Sequence, residues 1–199
     1  MAVAVANKVK LMCAPGGAGI YSNQITAPLT TSGGLGIVFP LQPDVTYSQS
    51  VNYSPYDLTH TNYGFNAYRN TPSPSIQIAA QFASVTQEEA AYTLGCIHFL
   101  RMVTKMFFGK SDPYKGAPPP VLRFSAYGSQ QFNNVRCVVA NFATTYDSGV
   151  DLKDFGGQQV PVIQTIAIDI LVQNSPDRQK ATSTKNNFIS GAAYGQGFI

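Results

Sequence analysis

Few residues in this sequence belong to the types that carry chemistry at neutral pH. The 199 residues include three cysteines and two histidines: Cys13, Cys96, Cys137, His60 and His98. Cys96 and His98 lie two positions apart in a segment with helical periodicity, so their side chains point about 200° apart. One metal ion cannot bind both, and the cysteine spacing matches no zinc pattern. We therefore expect no metal and no cofactor.

The usual motifs of covalent and phosphate chemistry are also missing from the sequence. It contains no G-x-S-x-G elbow, and APGGAG at 14–19 lacks the strand, lysine and helix of a phosphate-binding loop. Cys96 and Cys137 lie in apolar segments, where inert thiols are expected. Carboxylates are few and fall mostly in predicted loops, so nothing points to paired acid–base catalysis. These observations predict a protein that is not an enzyme.

Charge is sparse and unevenly distributed. Only 12% of the residues are charged, about half the usual share, and a surface poor in charge but rich in tyrosine favours burial against other subunits. Residues 101–136 carry six basic side chains against Asp112, whereas residues 141–177 carry five aspartates against Lys153. Two such patches could meet within one fold or between neighbouring subunits, and a head-to-tail ring needs complementary patches.

The basic segment also allows a nucleic-acid-binding interpretation. Aromatic residues interleaved with basic ones can bind single strands, and the aromatic residues here are Phe107, Phe108, Tyr114 and Phe124. We favour a structural interpretation, because two of the lysines flank a predicted helix end and the aromatic residues fall on predicted core faces. The net charge of +3 is also too small to argue for tight binding.

Alternation of apolar and polar residues predicts six or seven strands. The predicted strands cover 34–40, 45–53, 75–84, 121–127, 135–142 and 160–174. On the last strand Val162, Gln164 and Ile166 share one face with Ile168, Ile170 and Val172. The polar, aromatic stretch 54–74 is either a long loop or a projecting hairpin, and 143–161 reads as a polar loop.

One long helix is predicted over about 87–108. Thr86 and Glu89 form a capping box before it, apolar residues recur at helical spacing within it, and Gly109 follows it. Strands on both sides of a single helix predict an α+β, mainly β fold, in which the helix packs on an antiparallel sheet, sandwich or barrel. The chain fits one domain over 1–199, with an N-terminal arm at 1–34, a core at 35–174 and a C-terminal arm at 175–199.

Localisation follows from what the sequence does not contain. Its first residues, MAVAVANKVK, have no continuous apolar run, so no signal peptide is expected. No stretch approaches the roughly 20 apolar residues of a membrane helix, and an odd number of unpaired cysteines fits a reducing compartment. We expect synthesis in the cytoplasm and no membrane partner.

The segment 97–142 carries a family resemblance. IHFLRMVTKMFFG (97–109), GAPPPVL (116–122), FNN (132–134) and CVVANF (137–142) resemble the baseplate tail-tube cap or initiator proteins of T4-like and related contractile-tail bacteriophages. The similarity extends loosely over 36–199. Leu100 departs from the pattern, since relatives often carry a second aromatic residue before the arginine that is Arg101 here.

The resemblance implies a tail-tube fold, an antiparallel β-sandwich or barrel flanked by one helix, with six copies in a ring. The implied role is a structural virion protein that starts tube polymerisation at the baseplate and lines the DNA-ejection channel, through which DNA passes without specific binding. The implied partners are the tail-tube protein and baseplate hub proteins. The major tail-tube protein itself is the first alternative, and a baseplate-associated enzyme or a nucleic-acid-binding module is a more distant one.

Aromatic residues in segments predicted to be exposed, together with one rigid loop, are the expected ring contacts. Aromatic side chains are favoured at interfaces, and a run of prolines stiffens a loop. These residues are Tyr47, Tyr53, Tyr56, Tyr63, Phe65, Pro118, Pro119, Pro120, Phe188 and Phe198.

Overall fold

The structure is a computed structural model that describes residues 7–155 and 157–199. Strands dominate it, and every strand pairing among these residues is antiparallel. The strands are β1 Lys10–Cys13, β2 Thr30–Thr31, β3 Gly34–Val38, β4 Asp44–Ser48, β5 Asn52–Tyr56, β6 Phe65–Asn70, β7 Ser75–Ala83, β8 Leu122–Ala126, β9 Phe132–Thr145, β10 Leu152–Phe155, β11 Gln158–Pro161 and β12 Ile163–Val172. The helices are α1 Ala18–Tyr21, α2 Gln87–Val103, α3 Pro176–Thr182, α4 Lys185–Ser190 and α5 Ala192–Gly195.

Eight strands form one sheet in the order β2-β3-β1-β8-β9-β12-β7-β4, while β5–β6 and β10–β11 are separate two-stranded hairpins. The prediction of a mainly β fold with an antiparallel sheet is confirmed. Long β12 lies between β7 and β9, and its register with β7 runs from Ile163 opposite Ala83 to Leu171 opposite Ser75. The sheet is therefore organised around a strand with neighbours on both sides.

Period-two alternation explains which face of the sheet is buried. On β7 and β12 every second side chain is buried, and the predicted inner face of β12 is confirmed from Gln164 to Val172. The core also contains the large side chains Phe39, Phe82, Phe99 and Phe124, together with apolar residues of α2. The opposite face of β7 and β12 carries short, mostly uncharged side chains.

Helix α2 begins as the sequence predicts. The Thr86 side chain accepts from the Glu89 N–H, and the Glu89 carboxylate accepts from the Thr86 N–H, so the capping box is complete. These hydrogen bonds to the charged form lower the pKa of the Glu89 carboxyl group. The helix lies against the 3-10 turn Ala27–Leu29, which brings residues preceding β2 into the core.

The predicted end of this helix is wrong, because α2 ends at Val103 and not at 108. The Thr104 hydroxyl donates to the Leu100 carbonyl, a local bond that competes with helix continuation. Phe107 then pairs with the following loop, since its N–H donates to Ala117 and its carbonyl accepts from the Gly116 N–H. Its ring stacks on Tyr21 with centroids 5.7 Å apart, which holds the segment away from the helix axis.

The prediction of a single helix and two extended arms is also wrong. Residues 1–6 of the predicted N-terminal arm lie outside the described residues, but β1 lies within the sheet between β3 and β8, with Leu11 fully buried. The predicted C-terminal arm forms α3, α4 and α5 and folds back on the sheet, where the Asn133 side-chain amide donates to the Gly195 carbonyl. Both segments contain small residues and serine or threonine caps, so neither shows the apolar periodicity from which strands and helices were predicted.

Two predicted boundaries need correction. The single strand predicted over 45–53 is divided into β4 and β5, because its two parts pair with different strands, β7 and β6. The predicted loop 143–161 contains the end of β9 and the hairpin β10–β11, where polar side chains on both faces give no apolar alternation. Of the two alternatives for 54–74, the structure has the hairpin, since β6 pairs with β5.

Close packing of α2 against the N-terminal segment gives a test of the fold. A Cβ at Gly95 would lie 2.4 Å from Leu29 Cδ1 and 2.9 Å from the Ile25 carbonyl oxygen. Overpacking costs about 1–3 kcal/mol, whereas replacing glycine by alanine in a helix recovers up to about 1 kcal/mol. We therefore expect Gly95→Ala to lower the free energy of unfolding by about 1–2 kcal/mol, measured by chemical denaturation.

Gly19→Ala is the matched control, since a Cβ there has no neighbour within 4 Å. It should leave the free energy of unfolding unchanged or slightly higher. Equal stability of both variants would show that α2 does not pack on the 3-10 turn as described.

Candidate assembly surface

The hairpin β5–β6 exposes five aromatic rings. Tyr63 is 89% exposed and lies in the turn, and Phe65, opposite Tyr56, is 62% exposed. Tyr53 and Tyr68 face each other across the strands with ring centroids 6.3 Å apart in an edge-on contact. An aromatic patch of this extent on a hairpin outside the main sheet is typical of a surface that a partner covers.

The strand that precedes this hairpin has a free edge. Strand β4 is the last of the eight-stranded sheet and pairs only with β7 among the described residues. Its Tyr47 ring contacts Phe132 with centroids 5.9 Å apart, and its hydroxyl donates to the Gln49 side chain. A free edge presents unpaired backbone donors and acceptors to another strand.

Near the other end of the sheet, the outer side of β3 is covered within the chain. The Tyr92 hydroxyl of α2 accepts from the Val38 N–H (2.8 Å) and donates to the Val38 carbonyl (2.7 Å). Both Val38 groups point away from β1, so this single hydroxyl occupies the position of a further strand. Burial raises the pKa of Tyr92, which keeps the hydroxyl protonated and able to donate. Strand β2 pairs with the other end of β3.

The predicted C-terminal contacts lie in a cleft of about 780 Å³ at one end of the sheet. Phe188 and Phe198 contact each other with centroids 6.1 Å apart, so part of their surface is covered within the chain. Sequence reasoning missed Tyr68, Phe132 and Tyr194, which line the cleft beside Tyr47, because only the fold brings β4, β6, β9 and α5 together.

The ten predicted contact residues therefore occupy separate places. Tyr47, Phe188 and Phe198 share the cleft, whereas Tyr53, Tyr56, Tyr63 and Phe65 lie on the β5–β6 hairpin. Pro118 and Pro119 are exposed and Pro120 is half-buried in the loop before β8. The β4 edge and the β5–β6 hairpin follow one another along 44–70. The cleft adjoins them at Tyr47 and Tyr68, and we refer to the edge, the hairpin and the cleft together as the assembly surface.

The groups able to do chemistry are not assembled into a site. All three cysteines are buried, and burial raises the pKa of Cys13 to about 11, that of Cys137 to about 12 and that of Cys96 as well. These thiols are protonated at neutral pH and poor nucleophiles. Within 7–155 and 157–199 there is no group of three or more histidine, cysteine, aspartate or glutamate side chains that could hold a metal ion.

Comparison with known proteins gives no match, either to protein-family models or to curated proteins. None of the helices in the described part of the chain combines the length and apolarity required to cross a membrane.

The hairpin gives a direct test of the assembly surface. Changing both Tyr63→Ser and Phe65→Ser removes two exposed rings that carry no part of the core, so the monomer should keep its stability. Truncating an aromatic anchor costs about 2 kcal/mol or more at an interface centre. We therefore expect self-association to weaken at least about tenfold, measured by sedimentation over a concentration series.

The matched control changes Leu41→Ser and Val85→Ser, which are both 57% exposed and lie outside the hairpin. It should assemble as the wild type does. Unimpaired assembly of the Tyr63, Phe65 variant would remove the hairpin from the surface.

Proposed function

We propose that this chain is the subunit of a hexameric ring at the junction of the baseplate and tail tube of a contractile-tail bacteriophage. The observation that carries the proposal is the asymmetry of the sheet: β3 is covered by Tyr92 and by the two-residue strand β2, whereas β4 has an open edge beside an exposed aromatic hairpin. In a ring, an element of the neighbouring subunit satisfies such an open edge. In this ring the sheet would adopt the closed, tail-tube type of β architecture.

The segment that carries the family resemblance supports this proposal through its position. LRMV at 100–103 ends α2, GAPPPVL leads into β8, and CVVANF forms the centre of β9. These parts form the end of the helix, the lead into β8 and the strand β9 that pairs with β12. The resemblance therefore lies in the scaffold, as expected for a protein whose role is structural.

The outer face of β7 and β12 suits the wall of a channel. The uncharged side chains that point away from the core there are Ser75, Gln77, Ala79, Gln81 and Ala83 on β7, and Ile163, Thr165, Ala167 and Leu171 on β12. Asp169 continues this row, and its negative charge would repel phosphate. Strong binding to DNA depends on lysine and arginine near phosphates, so such a wall would let DNA slide. We propose that this face lines the channel and that the assembled ring contacts the tail-tube protein and baseplate hub proteins in the virion.

Electron microscopy with a mass measurement tests the function. We expect the purified protein, alone or with its baseplate partners, to form rings of about six times the 21.4 kDa chain mass, seen by negative stain and sedimentation. Protein that extends itself into long tubes would indicate the major tail-tube protein instead, as would dozens of rings per virion. A chain that stays monomeric with those partners would contradict the proposal.

A further inference from the structure

Three arginines meet at one end of the sheet, on the face away from the core. Arg123 of β8 and Arg136 of β9 are directly opposite each other in the antiparallel register, which places their Cβ atoms about 4.5–5.5 Å apart. Arg178 of α3 is near enough that burial, together with both arginines, lowers the pKa of its guanidinium. Like charges directly opposite each other on neighbouring strands destabilise a sheet, so the fold alone does not account for this cluster.

Two of the three arginines carry a buried Nε that has no acceptor in the described part of the chain. The Nε atoms of Arg123 and Arg178 are inaccessible to solvent and have no hydrogen-bond partner among the described residues. Arg178 donates through its terminal nitrogen to the Gln196 carbonyl, which holds it in place. A buried donor without an acceptor is destabilising, and more so when it is charged. A bound carboxylate would remove this cost.

A cleft gives access to this cluster. It has a volume of about 650 Å³ and is lined by Arg123 and Arg136 together with Gln173, Asn174 and Ser175. An adjacent cleft is lined by Lys10 and Arg123 among other residues. Among the described residues, no carboxylate lines either cleft. Asp177 precedes Arg178 in sequence but is exposed at the start of α3 and does not line the cleft.

Exposed carboxylates lie at the other end of the same strand. Asp147 and Asp151 are exposed between β9 and the hairpin β10–β11. Arg136 and Thr145 are nine residues apart on β9, about 30 Å at 3.3 Å per residue. Asp154 is less available, because its carboxylate already accepts from the Gly157 N–H. The two charged ends of the strand therefore do not meet within one subunit.

We propose that the cleft lined by Arg123 and Arg136 is a carboxylate-binding site for a second copy of this chain, filled by Asp147 and Asp151 from the neighbouring subunit. Arg–carboxylate pairs are strong and geometrically specific, and two different complementary patches per subunit generate a head-to-tail closed ring. This inference rests on the proposed ring and assigns one of its contacts. It also gives a role to the separation of basic and acidic segments in the sequence.

A reciprocal charge exchange tests the site. The first variant combines Arg123→Glu and Arg136→Glu, which replaces one directly opposite pair of like charges by another, so we expect the melting temperature of the monomer to be unchanged. The second variant combines Asp147→Lys and Asp151→Lys. Each variant alone should lose ring formation, with at least a tenfold loss of association measured by sedimentation at low ionic strength. Lys110→Glu, in an exposed loop, is the matched control and should assemble normally.

Mixing the two variants in equal amounts should restore rings. In an alternating ring, the two carboxylates introduced in the cleft of one subunit face the two lysines introduced in the next. The native Arg123 and Arg136 of that next subunit then face the native aspartates of the one after. Only contacts between subunits can be restored in this way. Failure of the folded variants to assemble when mixed, or normal assembly of the Arg123→Glu, Arg136→Glu variant alone, would overturn the carboxylate site.

Two further outcomes separate this inference from other possibilities. If the Arg123→Glu, Arg136→Glu variant assembles normally but loses retention on double-stranded DNA at low salt, the cleft binds phosphates and not a second copy. If the wild-type chain and every charge variant form rings, the proposed ring is supported and the arginine site is contradicted. If the wild-type chain does not associate at all, both the site and the proposed function fail.

Discussion

A strand at the end of a sheet leaves one row of backbone donors and acceptors unpaired, and the two ends of this sheet differ in how that row is satisfied. At β3 the Tyr92 hydroxyl bonds both backbone groups of Val38. Strand β4, at the other end, has a partner on one side only among the described residues. Because unpaired edges attract other strands, this difference defines which end of the subunit is available for assembly and which is not.

Other features of the molecule agree with that polarity. The β5–β6 hairpin follows β4 directly and carries the exposed aromatic rings. The C-terminal helices fold back to cover the same end of the core, and the cleft between them contains Tyr47 and Phe132. The arginine cluster and the exposed aspartates lie about 30 Å apart along β9, at opposite ends of the strand. In the proposed ring, edge, hairpin and charge together orient each subunit toward the next.

The sequence predicted those parts of the fold that depend on residues close to one another in the chain. Strand β7 and the inner face of β12 follow from strict alternation, and the start of α2 follows from the Thr86–Glu89 capping box. The end of α2 could not be predicted in the same way. Phe107 continues the helical spacing, but it leaves the helix because the 109–117 loop offers backbone partners and Tyr21 offers a ring.

The candidate contacts were predictable in part for a similar reason. The exposure of Tyr63 and Phe65 followed from apolar residues within a polar segment. The pairing of Phe188 with Phe198, and the meeting of Arg123, Arg136 and Arg178, depend on how distant segments fold together. Nor did β1 have a local signal, since KLMC is too short for alternation to distinguish it from the glycine-rich stretch that follows.

Amide hydrogen exchange of dissociated and assembled protein tests the central claim most directly, because it compares the two edges of the sheet in one experiment. We expect the outward-facing amides of β4 and the amides of the β5–β6 hairpin to exchange more slowly after assembly. Val38, already bonded to Tyr92, should exchange equally slowly in both states. Assembled particles in which the β4 amides gain no protection would contradict the open edge as the assembly site.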